Sequence, residues 1–487
     1  MRISVTLLFF FSCALVASGC TVGPDFIRSI TAADRSEGFI NQIYNGDQSS
    51  APISHWWKSV NDPLLNSYVD TLLGQNLSLI QAGERVVQAR EVNNIERGNY
   101  SPSVGLNGSA SRNFSGVNSF TGTSGSRLFI NSLSADLDAS WQVDLFGRVR
   151  RSVEASRARF EASVYDREAL THSLIAELFN RRVSIAVNKN LLQLAQQNSD
   201  NRQKIYGLVR NRYDLGVRNT SLADVYLAEE SFSSTEADIY QFERLLAGDS
   251  YRLDVLLGQA PGYTDPLADA FTLIAPPLNM PICMPSDLLD RRPDLKASEL
   301  RLKASNADIG IAVADLYPSL NLAGSLGFSG NSARNLFSAD QLAGSILSSL
   351  TTRLFEGGKL RANIRLQKSE ARELAASYAD NVLNAMREVE TALKGELELS
   401  RELQSVQRSV DALKNAEKVS QERYIRGIIT LQDLLNIQQR RYLAQQNLLR
   451  TQQEKWTTRV SLYMALGGDW LNEQNSKMNA CTRGEAL

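Results

Sequence analysis

Arg423-Tyr424-Ile425-Arg426-Gly427, followed by Leu431-Gln432-Asp433 and a Gln-rich, apolar-striped run to Leu466-Gly467, decides the fold because the chain contains it twice. Arg212-Tyr213-Asp214-Leu215-Gly216 leads in the same way to Leu222-Ala223-Asp224 and to a second striped run ending at Leu257-Gly258. The two copies differ in length only by two extra residues between Gly216 and Asp224. Further upstream, Pro102-Ser103-Val104-Gly105-Leu106-Asn107-Gly108-Ser109 is matched by Pro318-Ser319-Leu320-Asn321-Leu322-Ala323-Gly324-Ser325. Leu145-Phe146-Gly147 is echoed by Leu354-Phe355 and Gly357-Gly358, and Tyr165 and Glu177 fall opposite Tyr378 and Glu390. A period of about 210 residues is far longer than a solenoid repeat, so this is a tandem duplication of a whole unit. Each half reads helix, two strands, long helix, tight turn, long helix.

The 487 residues therefore divide into two fused copies of one unit. A formal charge of −1 provides no basic surface for nucleic acid. The two histidines, His55 and His172, stand at no ligating spacing and read as structural. No Gly-x-Ser-x-Gly, phosphate loop, dinucleotide fingerprint or paired-Cys zinc spacing occurs. The sequence offers an enzyme nothing to work with, and implies no cofactor.

At the N-terminus Arg2 precedes an apolar run from Val5 to Val16 and then Ala17-Ser18-Gly19-Cys20. A basic start, a short apolar stretch and small residues make a secretory signal, too short to span a membrane. Cys20 after small residues resembles a bacterial lipoprotein box, although Ala17 replaces the usual large aliphatic; the alternative is an ordinary signal with an incidental Cys. With the box, Cys20 becomes the lipidated first residue, and Thr21 lacks the aspartate associated with inner-membrane retention. Cys283 and Cys481 then remain, in a compartment that permits disulfides, as a candidate pair whose meeting the sequence leaves open.

Proline placement organises the rest. All twelve prolines lie at or before Pro102 or between Pro261 and Pro318. Proline inside a helix costs ~3 kcal/mol, so the proline-free stretches suit long helices. Leu170, Leu174 and Leu178 form one row, and Ile175, Phe179, Val183, Val187 and Leu191 the next, as in a coiled-coil wall packed on both sides. Asp62-Pro63 opens an earlier helix, expected to run unbroken to about Arg97. Between helices the period falls to two. Leu133, Ala135, Leu137, Ala139, Trp141, Val143 and Leu145 alternate with Ser134, Asp136, Asp138, Ser140, Gln142 and Asp144. One apolar and one polar face is what a transmembrane barrel strand requires, and equally what a half-buried soluble sheet requires. Four such strands cannot close a barrel, and an open edge in lipid leaves backbone groups unpaired. Membrane-spanning strands here imply several copies sharing one barrel.

The chain resembles the TolC-like outer-membrane factors, in the lipoprotein branch that serves multidrug efflux. The resemblance covers nearly all of residues 20–470. It rests on Cys20-x-Val22-Gly23-Pro24-Asp25-Phe26, on Trp56-Trp57 with Asp62-Pro63-x-Leu65, and above all on Pro285-Ser286-Asp287-Leu288-Leu289-x-Arg291-Arg292-Pro293-Asp294-Leu295. The last leads through Ala307-x-Ile309-Gly310 to Tyr317-Pro318-Ser319. The resemblance implies a mixed α+β membrane protein of two tandem repeats. It would be a homotrimer sharing a 12-stranded transmembrane β-barrel, four strands per subunit, continuous with a periplasmic α-helical coiled-coil tunnel. It implies a Gram-negative outer-membrane location, a periplasmic membrane-fusion adaptor and an inner-membrane efflux transporter as partners, and passive export of drugs or other small toxic compounds. The alternatives are the conduit of a type I protein secretion system or, in another class, a structural trimeric coiled-coil envelope protein.

The expected layout is a signal peptide over 1–19, a lipidated irregular segment over 20–60, a first repeat over 61–260, a linker over 261–285, a second repeat over 286–467 and a tail over 468–487. The first repeat holds strands at about 102–114 and 131–145 and long helices at 150–213 and 222–258. The second holds strands at about 318–330 and 342–356 and helices at 361–424 and 430–466. By resemblance, Asp433 falls in an acidic ring narrowing the closed periplasmic entrance, and Asn436 where a second Asp is common. Tyr424 matches a tyrosine of the closed-state lock, with Asp224 in its partner's position, while Ile429 replaces the lock's arginine. Arg212, Tyr213 and Gly216, with Arg423, Tyr424 and Gly427, mark the adaptor-docking tips. Three Asp433 carboxylates about one axis would attract cations, and the Asn436 ring, uncharged, makes this entrance less cation-selective or looser than its relatives'.

Overall fold

The computed structural model describes residues 21–41 except 29 and 37, 55–116 except 59 and 61, 127–266 except 219, and 287–467. Cys20, Cys283, Cys481 and the tail lie outside the described residues. The principal elements are α1 (Pro63–Gln75), α2 (Leu77–Gly98), β1 (Ser103–Gly116), β2 (Arg127–Val143), α3 (Arg148–Asp214) and α4 (Leu222–Leu256). The second half supplies α5 (Pro293–Ala314), β3 (Ser319–Gly330), β4 (Leu342–Thr351), α6 (Lys359–Ile425) and α7 (Leu431–Ala465). The duplication is visible in lengths: α3 and α6 have 67 residues each, α4 and α7 have 35 each.

The chain divides into two compact units, and the long helices contribute to both. The first comprises residues 1–29, 85–164 and 297–378. It holds an antiparallel meander in the order β1-β2-β3-β4, with β1 and β4 at its edges. Register carries the alternation across the sheet. Leu106 faces Leu137, which faces Leu326, and Val104-Ala139-Gly324-Ile346 forms the next apolar row. Gly105-Asp138-Ser325-Ser345 forms a polar row on the opposite face. The apolar face is uncovered: Leu106 is 77% and Ile346 93% exposed.

β4 stops at Thr351, short of the 356 expected from the sequence. Thr351 pairs with Ser319, the first residue of β3, and the preceding residue is Pro318, which has no N–H to extend the ladder. The chain then turns through Gly357 and Gly358, both at positive φ, into α6.

The second unit comprises residues 30–84, 165–296 and 379–487. Its core joins Trp56, Phe179, Trp456 and Tyr463, with Trp56 stacked on Tyr463 at 5.0 Å and edge-on to Phe179 at 5.5 Å. Beside it the Asp62 carboxylate caps α1, accepting from the N–H groups of Leu64 and Leu65, and pairs with buried Arg182 at 2.5 Å.

The helix expected from Asp62-Pro63 to Arg97 is in fact two, broken at Asn76. The Asn76 side chain accepts from the Leu79 N–H at 3.0 Å and donates to the Leu256 carbonyl, at the end of α4, at 2.8 Å. In the second repeat Arg292 plays this part, donating to the carbonyl of Ala465, the end of α7, at 3.3 Å. Gly258 and Gly467, both at φ +72°, follow these helix ends. A Cβ on Gly258 would lie 2.5 Å from the Gln75 carbonyl oxygen, and one on Gly467 3.0 Å from the Arg292 nitrogen. Each repeat thus closes by seating a left-handed glycine on a junction ahead of a helix, Gln75 before α2 and Arg292 before α5. Arg292 is further held by Asp294 and Glu388, both at 2.7 Å, which gives the Arg-Arg-Pro-Asp segment its structural meaning.

His172 is 8% exposed in this unit, and burial pushes its imidazole down to about 4, with Asp294 opposing. The folded state holds the ring neutral while the unfolded chain protonates it near 6.5. Stability is therefore complete above that value and is lost as pH falls from 6.5 towards 4, by about 3 kcal/mol. His172→Gln is expected to flatten the unfolding midpoint measured across this window; an unchanged slope would assign the acid loss to other groups.

Candidate functional site: the paired helical tips

The α3–α4 and α6–α7 turns, both in the second unit, are built alike from local hydrogen bonds. At the first, the Gly216 N–H donates to the Tyr213 carbonyl at 2.9 Å and the Val217 N–H to the Arg212 carbonyl at 3.0 Å. At the second, Gly427 donates to Tyr424 and Ile428 to Arg423, both at 2.9 Å. These are two Schellman motifs with the glycine at φ +64° and +72°. The next helix then opens on a capping box in each case. Ser221 donates from its N–H and hydroxyl to Asp224, both at 2.8 Å, and Thr430 does the same to Asp433 at 3.1 and 2.7 Å. Each aspartate N–H returns a bond to the hydroxyl at 3.2 Å.

The spacings that define the repeated motif are therefore a helix stop and a helix start. Asp433 is exposed, as is Asn436 one turn on. The Thr430 hydroxyl and N–H hold the Asp433 carboxyl below the ordinary carboxylate range, so it is ionised. Asp224 is half-buried with its carboxylate on Ser221.

The two tips pack on one another through buried Val209, Val225, Ala228 and Leu431, with Tyr424 against them. Arg212 from the end of α3 lies over the Tyr424 ring at the end of α6, its guanidinium 5.6 Å from the centroid. Burial pushes the Tyr424 phenol up, Arg212 opposes, and Asp224 adds to the rise. Tyr213 and Arg423, the counterparts in the repeat, stay exposed, as do Gly216 and Gly427. Leu215 (80%), Ile425 and Ile428 add uncovered apolar surface around them. Above the tips the Tyr442 hydroxyl donates to Asp238 at 3.0 Å, tying α7 to α4, and Arg441 pairs with Glu417 at 2.8 Å, tying α7 to α6.

From sequence, Arg212 marks only a docking tip, and Ile429 leaves the expected lock without its arginine. The structure supplies a cation to Tyr424 from the other repeat. The Arg-Tyr pairs of the two motifs were the available signal, but nothing in their spacing says which arginine meets which tyrosine. Among the described residues no group of three or more His, Cys, Asp or Glu side chains could hold a metal ion. No described helix is long and apolar enough to cross a membrane.

The outer membrane efflux protein family model matches residues 68–259 and 284–468, one block in each repeat. The probable efflux pump outer membrane protein TtgC of Pseudomonas putida is 30% identical over 474 residues, 96% of each chain. Nodulation protein T of Rhizobium leguminosarum bv. trifolii is 29% identical over 466 residues, 95% of this chain and 96% of that one. Among solved structures, the outer-membrane channel OprN superposes with a TM-score of 0.77 at 30% identity, over 93% of this chain and 100% of that one. The Campylobacter jejuni CmeC outer membrane channel shares the fold, with a TM-score of 0.85 at 22% identity over 95% of this chain and 98% of that one. With the family model covering most of both repeats and relatives aligned almost end to end, the chain belongs to the outer membrane efflux protein family.

Proposed function

We propose that this chain is the passive exit duct of a tripartite efflux system, with its gate at the paired tips. The observation that carries the duct is the sheet: four strands, one uncovered apolar face, one polar face, and two open edges. In hydrocarbon every backbone N–H and C=O must be paired within the protein, so β1 and β4 need strands from other copies. Three copies give a twelve-stranded barrel of ordinary size for outer-membrane proteins. The polar face, with Asp136, Asp138 and serines, then lines the water path. An adaptor in the periplasm and an inner-membrane transporter complete the machine, and the transporter supplies the energy. Relatives named for toluene efflux, antibiotic efflux and pyoverdine export indicate small organic cargo.

The gate reading gives Asp433 two tasks: it caps α7, and its second oxygen presents a charge. Tyr424, Asp224 and Asn436 complete the closed entrance, and the exposed glycine turns with Arg212, Tyr213 and Arg423 receive the adaptor. Asp433→Asn separates the tasks, because an amide oxygen still caps while the charge is gone. In planar bilayers this variant is expected to lower the cation-to-anion permeability ratio about threefold or more, as removal of a carboxylate ring should. Asp433→Ala with Asn436→Ala, which removes the cap as well, is expected to raise the conducting fraction. If both variants match wild type in selectivity and open time, the duct stands and the gate lies elsewhere. A wild-type trimer that inserts and never conducts, in any variant, overturns the channel and favours a structural role.

A further inference from the structure

Beyond the sheet and the tips, the first unit carries a basic stripe with no acidic counterpart. Arg361, Arg365, Lys368 and Arg372 follow one another at helical spacing and lie on one face of α6. All four are exposed, and among the described residues none is engaged in an ion pair or side-chain hydrogen bond. Like charges four apart weaken a helix, and elsewhere α6 avoids this by pairing, as in Lys394–Glu398 at 2.8 Å. Arg365, Lys368 and Arg372 line a cavity of about 590 Å³. Opposite them, Phe26 and Ile27 from the N-terminal segment and Leu302 and Ile309 from α5 give an apolar wall, interrupted by Asn306, whose amide donates to the Pro24 carbonyl at 3.0 Å. Ile27 is 85% exposed. The one acid in the lining, Asp25, is already engaged by Arg151 at 2.7 Å. Uncompensated cations facing an apolar wall fit an anion that carries hydrocarbon.

The cavity's place in the fold narrows the choice of ligand. The Val22 N–H donates to the Phe146 carbonyl at 3.2 Å, at the foot of β2, and Gly23 packs directly on Gly310 of α5. Gly147, at φ +80°, leaves no room for a Cβ, which would lie 2.8 Å from the Thr21 side chain. The N-terminal segment is thus pinned where the apolar face of the sheet ends. Arg365, Lys368 and Arg372 stand six, nine and thirteen residues into α6, about 9, 14 and 20 Å along the helix, and the headgroup layer of a bilayer extends ~5–8 Å beyond its hydrocarbon, so Arg365 lies nearest that layer with the other two behind it. The long side chains of Arg365 and Lys368 reach back towards that layer, and basic pockets next to it bind anionic headgroups.

We propose that this cavity holds the headgroup of an anionic phospholipid of the periplasmic leaflet. Arg365, Lys368 and Arg372 bind the phosphate, and Phe26 and Ile27 lie along the start of the acyl chains. The proposal rests on the membrane-spanning reading of the sheet.

Native mass spectrometry of the full-length trimer tests it, with phosphatidylglycerol and phosphatidylcholine supplied in equal amounts in the micelle. Wild type is expected to retain phosphatidylglycerol about tenfold over phosphatidylcholine, a preference that fades in high salt. Arg365→Gln/Lys368→Gln/Arg372→Gln should abolish the preference, and the charge-conserving Arg365→Lys/Lys368→Arg/Arg372→Lys should keep it. Glycerol phosphate, the same headgroup chemistry without chains, should fail to displace the lipid. Equal retention by wild type and the Gln variant, or no preference in wild type, overturns the proposal. Displacement by glycerol phosphate at the lipid's own concentration also overturns it, because the site would then serve a free phosphate. Conductance of the Gln variant, expected to match wild type, keeps failure of the lipid site distinct from failure of the channel reading.

Discussion

Arg212→Ala is expected to convert a quiet wild-type trimer into one that conducts without its partners. The guanidinium sits over the Tyr424 ring at 5.6 Å and joins the end of α3 to the end of α6 within one subunit. Truncation removes a cation–π contact at a half-buried ring, worth about 0.5–2 kcal/mol. The loss is about 0.5–2 kcal/mol per subunit, and three tips opening together multiply it to roughly 1.5–6 kcal/mol, or about 10–10⁴ in the open-to-closed ratio. Arg212→Lys retains the charge without the planar stack and should fall between. Burial and Asp224 keep the Tyr424 phenol neutral, against the pull of Arg212, so wild-type closure should not change with pH across the neutral range. Single-channel recording decides the matter. An Arg212→Ala trimer as quiet as wild type would assign the contact to tip packing alone and leave closure to the ties at Tyr442 and Arg441.

The second large effect concerns stability. Asp62→Ala strikes two interactions with one side chain. It removes the cap of α1, worth about 1 kcal/mol, and deprives the 2% exposed Arg182 of its carboxylate, a class of loss that costs roughly 3–5 kcal/mol. The expected total is about 4 kcal/mol, localised in the second unit where α1 packs on the Trp56–Phe179 core. Asp62→Asn keeps the cap, loses the charge, and should recover about 1 kcal/mol of this. Hydrogen exchange over residues 63–75 reads it directly, and protection should fall in the order wild type, Asn, Ala. Unchanged protection in Asp62→Ala would mean that aromatic packing alone holds α1.

Much of this was legible from spacing. The helix stops at Gly216 and Gly427 and the helix starts at Ser221 and Thr430 are chemistry between residues three to five apart, which sequence specifies without help from the rest of the chain. The same holds for strand alternation, whose period of two follows from backbone geometry, and for the proline-free stretches that became the 67-residue helices. The duplication needed only comparison of the chain with itself.

Tertiary structure decided what depends on register and on partners far along the chain. β4 ends at Thr351 because its neighbour begins after Pro318, which the residues of β4 themselves do not reveal. One long helix became α1 and α2 because Asn76 is drawn to the carbonyl of Leu256, 180 residues away. Arg182 reads as one more helical charge until Asp62 lies against it. The tips make the point most sharply. Both motifs read Arg-Tyr-x-x-Gly, so their sequence leaves two cross-pairings equivalent. Two additional residues in the first turn make the turns unequal, and Arg212 meets Tyr424 while Tyr213 and Arg423 remain exposed. Local hydrogen bonds are written in spacing, whereas a contact between two copies of the same motif is chosen by the packing that brings them together.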